Sequence, residues 1–160
     1  MKKISVKSSA ILFEDSNELS KEDSLLLNAA KEAKETAYAP YSNFKVGAAI
    51  QLENGEIVTG NNQENAAYPS GMCAERVAIW KVGSSFPGVR ILKIAIVASS
   101  EKYTVDKPVG PCGACRQTMI DYEVNQKEPI QIIFMGEVGE IIKTESLVSL
   151  LPFSFDDTFL

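Results

Sequence analysis

The chain has no histidine, three cysteines and one tryptophan among 160 residues. Each shortage excludes something. Without histidine, the usual general base and the commonest metal ligand are both missing. Proton transfer must then fall on another group, with a carboxylate the first choice. An odd number of cysteines leaves at least one thiol outside any disulfide pairing. Long apolar runs are missing too: the longest, Ile94 to Ala98, falls far short of a membrane span of about 20 residues. The N-terminus Met1-Lys2-Lys3-Ile4-Ser5 is basic, but 9–17 holds no apolar core of signal-peptide length. A reducing, cytoplasmic location is the expectation, and it suits reduced thiols. Sixteen Lys and Arg against 21 Asp and Glu leave a formal charge of -5. That disfavours nucleic-acid binding, which rests on phosphate neutralisation. Neither nucleic acid nor membrane is expected as a partner.

A chain of this length, 45% hydrophobic and 23% charged, falls in the range of an ordinary soluble domain. Residues 1–19 read as an irregular or strand-like extension of unknown role, and 20–160 as one domain. Ser20 with Asp23 three positions on marks a helix start. Leu26, Ala29, Ala30, Ala33 and Ala37 then follow helical spacing over 22–38, until Pro40 stops it. A strand is predicted over 44–52, a hairpin turn at Asn54-Gly55, and a partner strand over 56–60. An Asn-rich loop leads to a helix over 72–82. A buried strand over 91–98, a helix over 112–122, and strands over 130–135 and 140–143 follow. A short helix over 144–151 ends the series at Pro152. This order predicts an α/β fold: a three-layer α-β-α sandwich on a mixed sheet of about five strands. The first two strands should be antiparallel and the later strand–helix–strand units parallel.

All three cysteines fall in two short motifs, Cys73-Ala74-Glu75-Arg76 and Pro111-Cys112-Gly113-Ala114-Cys115. Cys-x-x-Cys alone fits a redox pair or a metal site equally well. Cys73 adds weight to the metal. It opens one predicted helix as Cys112 opens another, and a helix N-terminus lowers thiol pKa and favours thiolates. The bland alternative is a buried apolar cysteine beside a structural pair. A closed zinc site needs four protein ligands, and beyond the three cysteines only carboxylates remain. Three thiolates with an open position for water form the catalytic arrangement, in which zinc brings the pKa of water toward neutrality. Three thiolates also leave the centre one charge too negative. Arg76, and Gln117 just past Cys115, could donate hydrogen bonds to the sulfurs and draw charge off. Glu75 adjoins a ligand and is the natural proton carrier. Otherwise Glu75 is a charge on a helix dipole and Arg76 a solvated surface group.

These two motifs, with Arg116-Gln117 after the second, resemble the zinc nucleoside deaminases and specifically the cytidine deaminases. Further stretches resemble the same family: Tyr38-Ala39-Pro40-Tyr41-Ser42-x-Phe44-x-Val46-Gly47-Ala48-Ala49, Gly60-x-Asn62-x-Glu64-Asn65-Ala66-Ala67-Tyr68, and Leu150-Leu151-Pro152-x-x-Phe155. The likeness runs from about residue 20 to 155. It implies one zinc per subunit on Cys73, Cys112 and Cys115, with Glu75 shuttling protons between metal-activated water and the pyrimidine. It further implies that Asn62 and Glu64 bond the ribose hydroxyls, that Phe44 stacks on the base and that the backbone at Ala74 reads the base edge. Phe155, or Phe159 beyond it, would reach a neighbouring subunit's site, and Tyr68 would lie near a subunit contact. The assembly implied is a homotetramer, and the reaction is deamination of cytidine and deoxycytidine. Rival readings are a deaminase for an aminonucleoside antibiotic, a nucleic-acid editor, and a non-catalytic metal or redox module.

Overall fold

The computed structural model of the protein describes residues 1–156 and 159–160. In chain order its elements are β1 (Ile11–Phe13), α1 (Lys21–Glu35), β2 (Phe44–Leu52), β3 (Ile57–Asn61), α2 (Ala74–Ser85), β4 (Ile91–Ser100), α3 (Gly113–Gln126), β5 (Gln131–Met135) and β6 (Ile141–Thr144). The strands form one mixed sheet in the order β1-β6-β5-β4-β2-β3. The sheet has six strands, against the five or so expected. The sixth is β1, in the N-terminal extension, which pairs antiparallel with the edge strand β6. Among the described residues, no helix is long and apolar enough to cross a membrane.

Local chemistry explains the elements. Ser20 Oγ accepts the Asp23 amide at 3.1 Å and starts α1. The helix ends sooner than predicted, because Asn61 Nδ2 takes the Ala33 carbonyl at 2.8 Å. Gly55 turns the β2–β3 hairpin with φ of 88°, a left-handed value that glycine adopts freely. β2 and β3 pair antiparallel, and β4 pairs parallel with β5 across the α3 crossover, both as expected. β4 lies antiparallel beside β2, so β3 and β4 run the same way on either side of it. The helix expected over 144–151 is a correction. Residue 144 completes β6, and only a 3-10 turn, Leu147–Ser149, follows. The buried Glu123 carboxylate explains this, because it binds the Leu147 amide at 2.9 Å and the Ser146 hydroxyl at 2.6 Å, fixing a turn there.

The period-two alternation of strands separates two cores. Ala49, Ala95, Val97, Ile133 and Met135 pack against Leu26, Leu27 and Ala30 of α1. Ala48, Ile50, Ile94, Ile96, Ile132 and Phe134 pack against Ala78, Ile79, Met119 and Ile120 of α2 and α3. The sandwich is therefore α1, sheet, then α2 with α3. Gly60 sets the depth of α2, since a Cβ there would stand 2.6 Å from the Ala78 nitrogen and 2.8 Å from the Ala74 carbonyl oxygen. This close approach seats the start of α2 directly on the sheet.

Candidate metal centre and active site

Cys73 and Cys112 are the residues that cap α2 and α3, both in extended conformation. Cys115 lies in the first turn of α3 and is fully buried. The two helix starts converge, and the three Sγ atoms lie within 4.8 Å of one another. Cys112 and Cys115 are 3.4 Å apart at sulfur, and all three thiols are free. A tetrahedral zinc with Zn–S bonds of about 2.3 Å would space its sulfurs roughly 3.8 Å apart, so the donor set fits.

The electrostatics argue for the same cation. Contact with the Cys115 thiol and with Arg76 outweighs burial and lowers Cys73 to about 5. The same contact, with burial, raises Cys115. Thus the protein alone stabilises one thiolate at the expense of its neighbour. A cation between them removes that conflict and lets all three ionise.

Glu75, in the first turn of α2, is 5% exposed. Burial raises its carboxyl above the ordinary range, and the Cys73 charge adds to the rise. Its neighbour Arg76 directs Nη2 to Cys73 Sγ at 3.5 Å and rests over Trp80, 5.9 Å from the ring centre. Gln117 is a different case. Position 117 is two residues past Cys115, off its face of the helix, and its Nε2 donates to the Phe155 carbonyl at 2.8 Å. The expected donation from Gln117 to sulfur gives way to an anchor for the C-terminal segment.

A cavity of about 580 Å³ opens in front of the cluster. Cys73, Ala74, Glu75, Arg76 and Cys112 form its floor, and Val46 and Ile96 of the sheet form an apolar wall. Asn62 and Glu64 line it as well, both held in place. Asn62 clamps β2 twice, accepting from the Val46 amide at 2.8 Å and donating to the Phe44 carbonyl at 2.9 Å. Glu64 accepts from the Tyr41 and Ser42 amides at 2.9 and 3.2 Å, and from the Ser42 hydroxyl. Partial burial alone would raise the Glu64 carboxyl, but these bonds prevail and hold it below the ordinary range. It is a preset, ionised acceptor at the cavity rim.

Other expected site residues stand further out. Phe44 begins β2 on the same strand face as Val46, but Val46 is the one that lines the cavity. Tyr68 lines the rim, is 77% exposed, and meets Tyr41 edge-on at 6.4 Å between centroids. Phe155 is exposed and stacks on Phe159 at 5.6 Å. Among the described residues these two rings stay out of their own chain's cavity lining. Sequence reasoning gave no role to Ser42, Val46, Ile96, Val109 and Gly110, which also line the cavity. They are unremarkable in type, and only the packing of distant segments brings them here.

Comparisons with known proteins agree with this geometry. Residues 20–127 match the family model for the cytidine and deoxycytidylate deaminase zinc-binding region. A cytidine deaminase from Sporosarcina psychrophila is 43% identical over 131 residues, covering 81% of this chain and 88% of its own. A cytidine deaminase from Halalkalibacterium halodurans is 39% identical over 132 residues, 82% of this chain and 92% of its own. Among solved structures, cytidine deaminase from Burkholderia pseudomallei superposes with a TM-score of 0.71 at 38% identity, over 86% of this chain and 100% of that one.

Proposed function

Because this chain belongs to the cytidine and deoxycytidylate deaminase family, we propose that Glu75 is its proton carrier and that Asn62 and Glu64 hold the sugar of its substrate. The activity itself is hydrolytic deamination of cytidine to uridine with release of ammonia, a zinc-dependent reaction of pyrimidine salvage. Deoxycytidine is proposed as a second substrate.

Cys73, Cys112 and Cys115 would hold the zinc, one ion per subunit. Zinc bound there supplies Lewis acidity that brings water to ionise near neutral pH. Glu75 takes the proton from the water that adds at C4 of the pyrimidine and delivers it to N3. It then takes the proton of the new C4 hydroxyl and passes it to the amino group, so that the C4=O bond forms as the C4–N bond breaks and ammonia leaves. Burial suits this task, since a raised pKa makes the carboxyl a better base than an ordinary glutamate. Arg76 draws charge from the Cys73 sulfur. The Ala74 backbone faces the base edge, and Val46 and Ile96 exclude water from the ring, with Phe44 closing over it from the strand start. Glu64 and the free amide hydrogen of Asn62 meet the ribose hydroxyls.

Residues 20–160 form the deaminase domain in this reading. Tyr68 and Phe155 are exposed aromatics, and we place them at contacts of a homotetramer, with Phe155 against a neighbour's substrate. A cytoplasmic setting keeps the three thiols reduced.

The observation that carries the proposal is a buried, raised carboxyl beside a three-thiol cluster, inside a cavity rimmed by a preset acceptor. Its test is the fall in ultraviolet absorbance when the protein meets cytidine. Turnover should vanish with a zinc chelator and return with zinc. Turnover of an aminonucleoside antibiotic but not cytidine would reject the substrate, and near-normal turnover by Glu75→Gln would reject the proton carrier.

A further inference from the structure

The stretch before Cys112 is poorly held by its own backbone. Residues 108–111 lie outside helix and strand. Among the described residues, no main-chain hydrogen bond ends on them. Yet Val109 and Gly110 line the cavity, and Cys112 follows directly. Of the three thiols, Cys115 is buried, Cys73 is half-buried and bonded to Arg76, and Cys112 is exposed. The most exposed of the three sulfurs thus sits at the end of a segment without main-chain hydrogen bonds of its own.

One side chain supplies what the backbone lacks. Arg116 Nε donates to the Pro111 carbonyl at 2.7 Å, and Nη1 donates to the Leu150 carbonyl at 2.9 Å. One planar fork therefore ties the residue before Cys112 to the turn that follows β6. The guanidinium also underlies Gly110, where a Cβ would stand 3.7 Å from Nη2 and 3.5 Å from the Phe134 ring. Two carbonyls held by a single rigid fork suit arginine. Lysine, with a point charge on a flexible stem, would fix the two with less order.

We propose that Arg116 is a positioning residue for the metal loop, bracing the main chain before Cys112 against the C-terminal turn and so slowing the loss of zinc. It acts through the loop and touches neither sulfur nor substrate in this role. The inference rests on reading the three thiols as a zinc site.

The test uses zinc-loaded protein mixed with excess chromogenic chelator, and follows the rate of metal release. Arg116→Ala should release zinc at least tenfold faster than wild type, with Arg116→Lys in between. Gln117→Ala should release it at the wild-type rate, because Gln117 holds the same C-terminal segment but not the loop. Cobalt(II)-loaded protein gives a readout that simple destabilisation would not move. Its visible d–d bands report ligand angles, and they should shift in the Arg116 variants and not in Gln117→Ala. Equal release from wild type and Arg116→Ala would overturn the proposal, as would equally fast release from Gln117→Ala. If Arg116→Ala does not fold, Arg116→Lys decides: unchanged release and unchanged bands reject the brace. Wild type without stoichiometric zinc would instead sink the zinc reading itself.

Discussion

The two faces of the sheet each bury a carboxylate, in opposite surroundings. On the α1 side, Asp23 is 3% exposed and bonds Lys93 Nζ of β4 at 2.8 Å and Lys143 Nζ of β6 at 2.9 Å. Burial alone would raise its carboxyl, but the two lysines outweigh that and lower it. On the α2–α3 side, Glu75 is about as deeply buried but has no lysine against it, and its carboxyl is raised. Burial alone therefore does not set the direction of the shift. The partners decide: two lysines hold Asp23 low, whereas Glu75 stands raised beside the Cys73 charge, which is what its proposed role as proton carrier needs. Glu123 on the same side as Glu75 sharpens the point. It is 6% exposed, but amides of Ile130 and Leu147 and the Ser146 hydroxyl bond it at 2.6 to 2.9 Å.

The comparison breaks most sharply at Glu75. Glu75→Gln keeps the shape and removes the exchangeable charge. Turnover should fall about 10²–10⁴-fold, the usual worth of a positioned acid–base group. Zinc content and the melting temperature should hold or rise. A parallel loss of zinc would mean that Glu75 supports the metal and not the proton.

Asp23→Asn should do the reverse. It leaves Lys143, 12% exposed at the side chain, without its counter-charge, and Lys93, 16% exposed, with only the exposed Glu22 at 3.4 Å. The expected cost is about 3 kcal/mol in urea unfolding, the low end for breaking a buried pair, because both lysines keep some water. Cytidine turnover of the folded fraction should stay at the wild-type value. If activity fell with stability, the two faces would not be separable.

Arg76→Gln should have a smaller effect than Glu75→Gln, on the same face. Losing a donor to a metal-bound sulfur typically costs about 10–100-fold in metal affinity or activity. Arg76 would prove a surface group if zinc retention and rate were both unchanged.

Much of this contrast was legible before the fold was known, and the reasons are local. Cys73, Glu75 and Arg76 sit within one helical turn, so spacing alone put them together. The apolar strand over 44–52 and the Asn54-Gly55 turn are equally plain, since hairpin geometry depends on adjacent residues. What stayed hidden depends on distant partners. Nothing in the sequence around Asp23 points to Lys93 and Lys143, which reach it from two separate strands. The 144–151 stretch looked helical because the Glu123 carboxylate that takes its amides lies far upstream. Residues 11–13 fall in a stretch that reads as irregular or strand-like, because an edge strand of three residues carries too little pattern to choose between the two. The resemblance alone assigns Glu64 to ribose, whereas its bonds to Tyr41 and Ser42, which make it a preset acceptor, arise only when the fold brings residues 23 and 22 positions upstream beside it.

The smallest expected effect concerns acid. The Asp23 carboxyl is lowered in the folded protein from an ordinary value of 3.8. Above that value both states are ionised and the full stabilisation is present. As pH falls below it, the unfolded chain takes up its proton first, and stability drops until the folded carboxyl is protonated too. Urea midpoints measured downward from pH 5 should therefore fall more steeply for wild type than for Asp23→Asn, and the two curves should draw together at the acid end. Parallel curves would show that the lysines do not hold Asp23 ionised, and the contrast with Glu75 would lose its electrostatic basis.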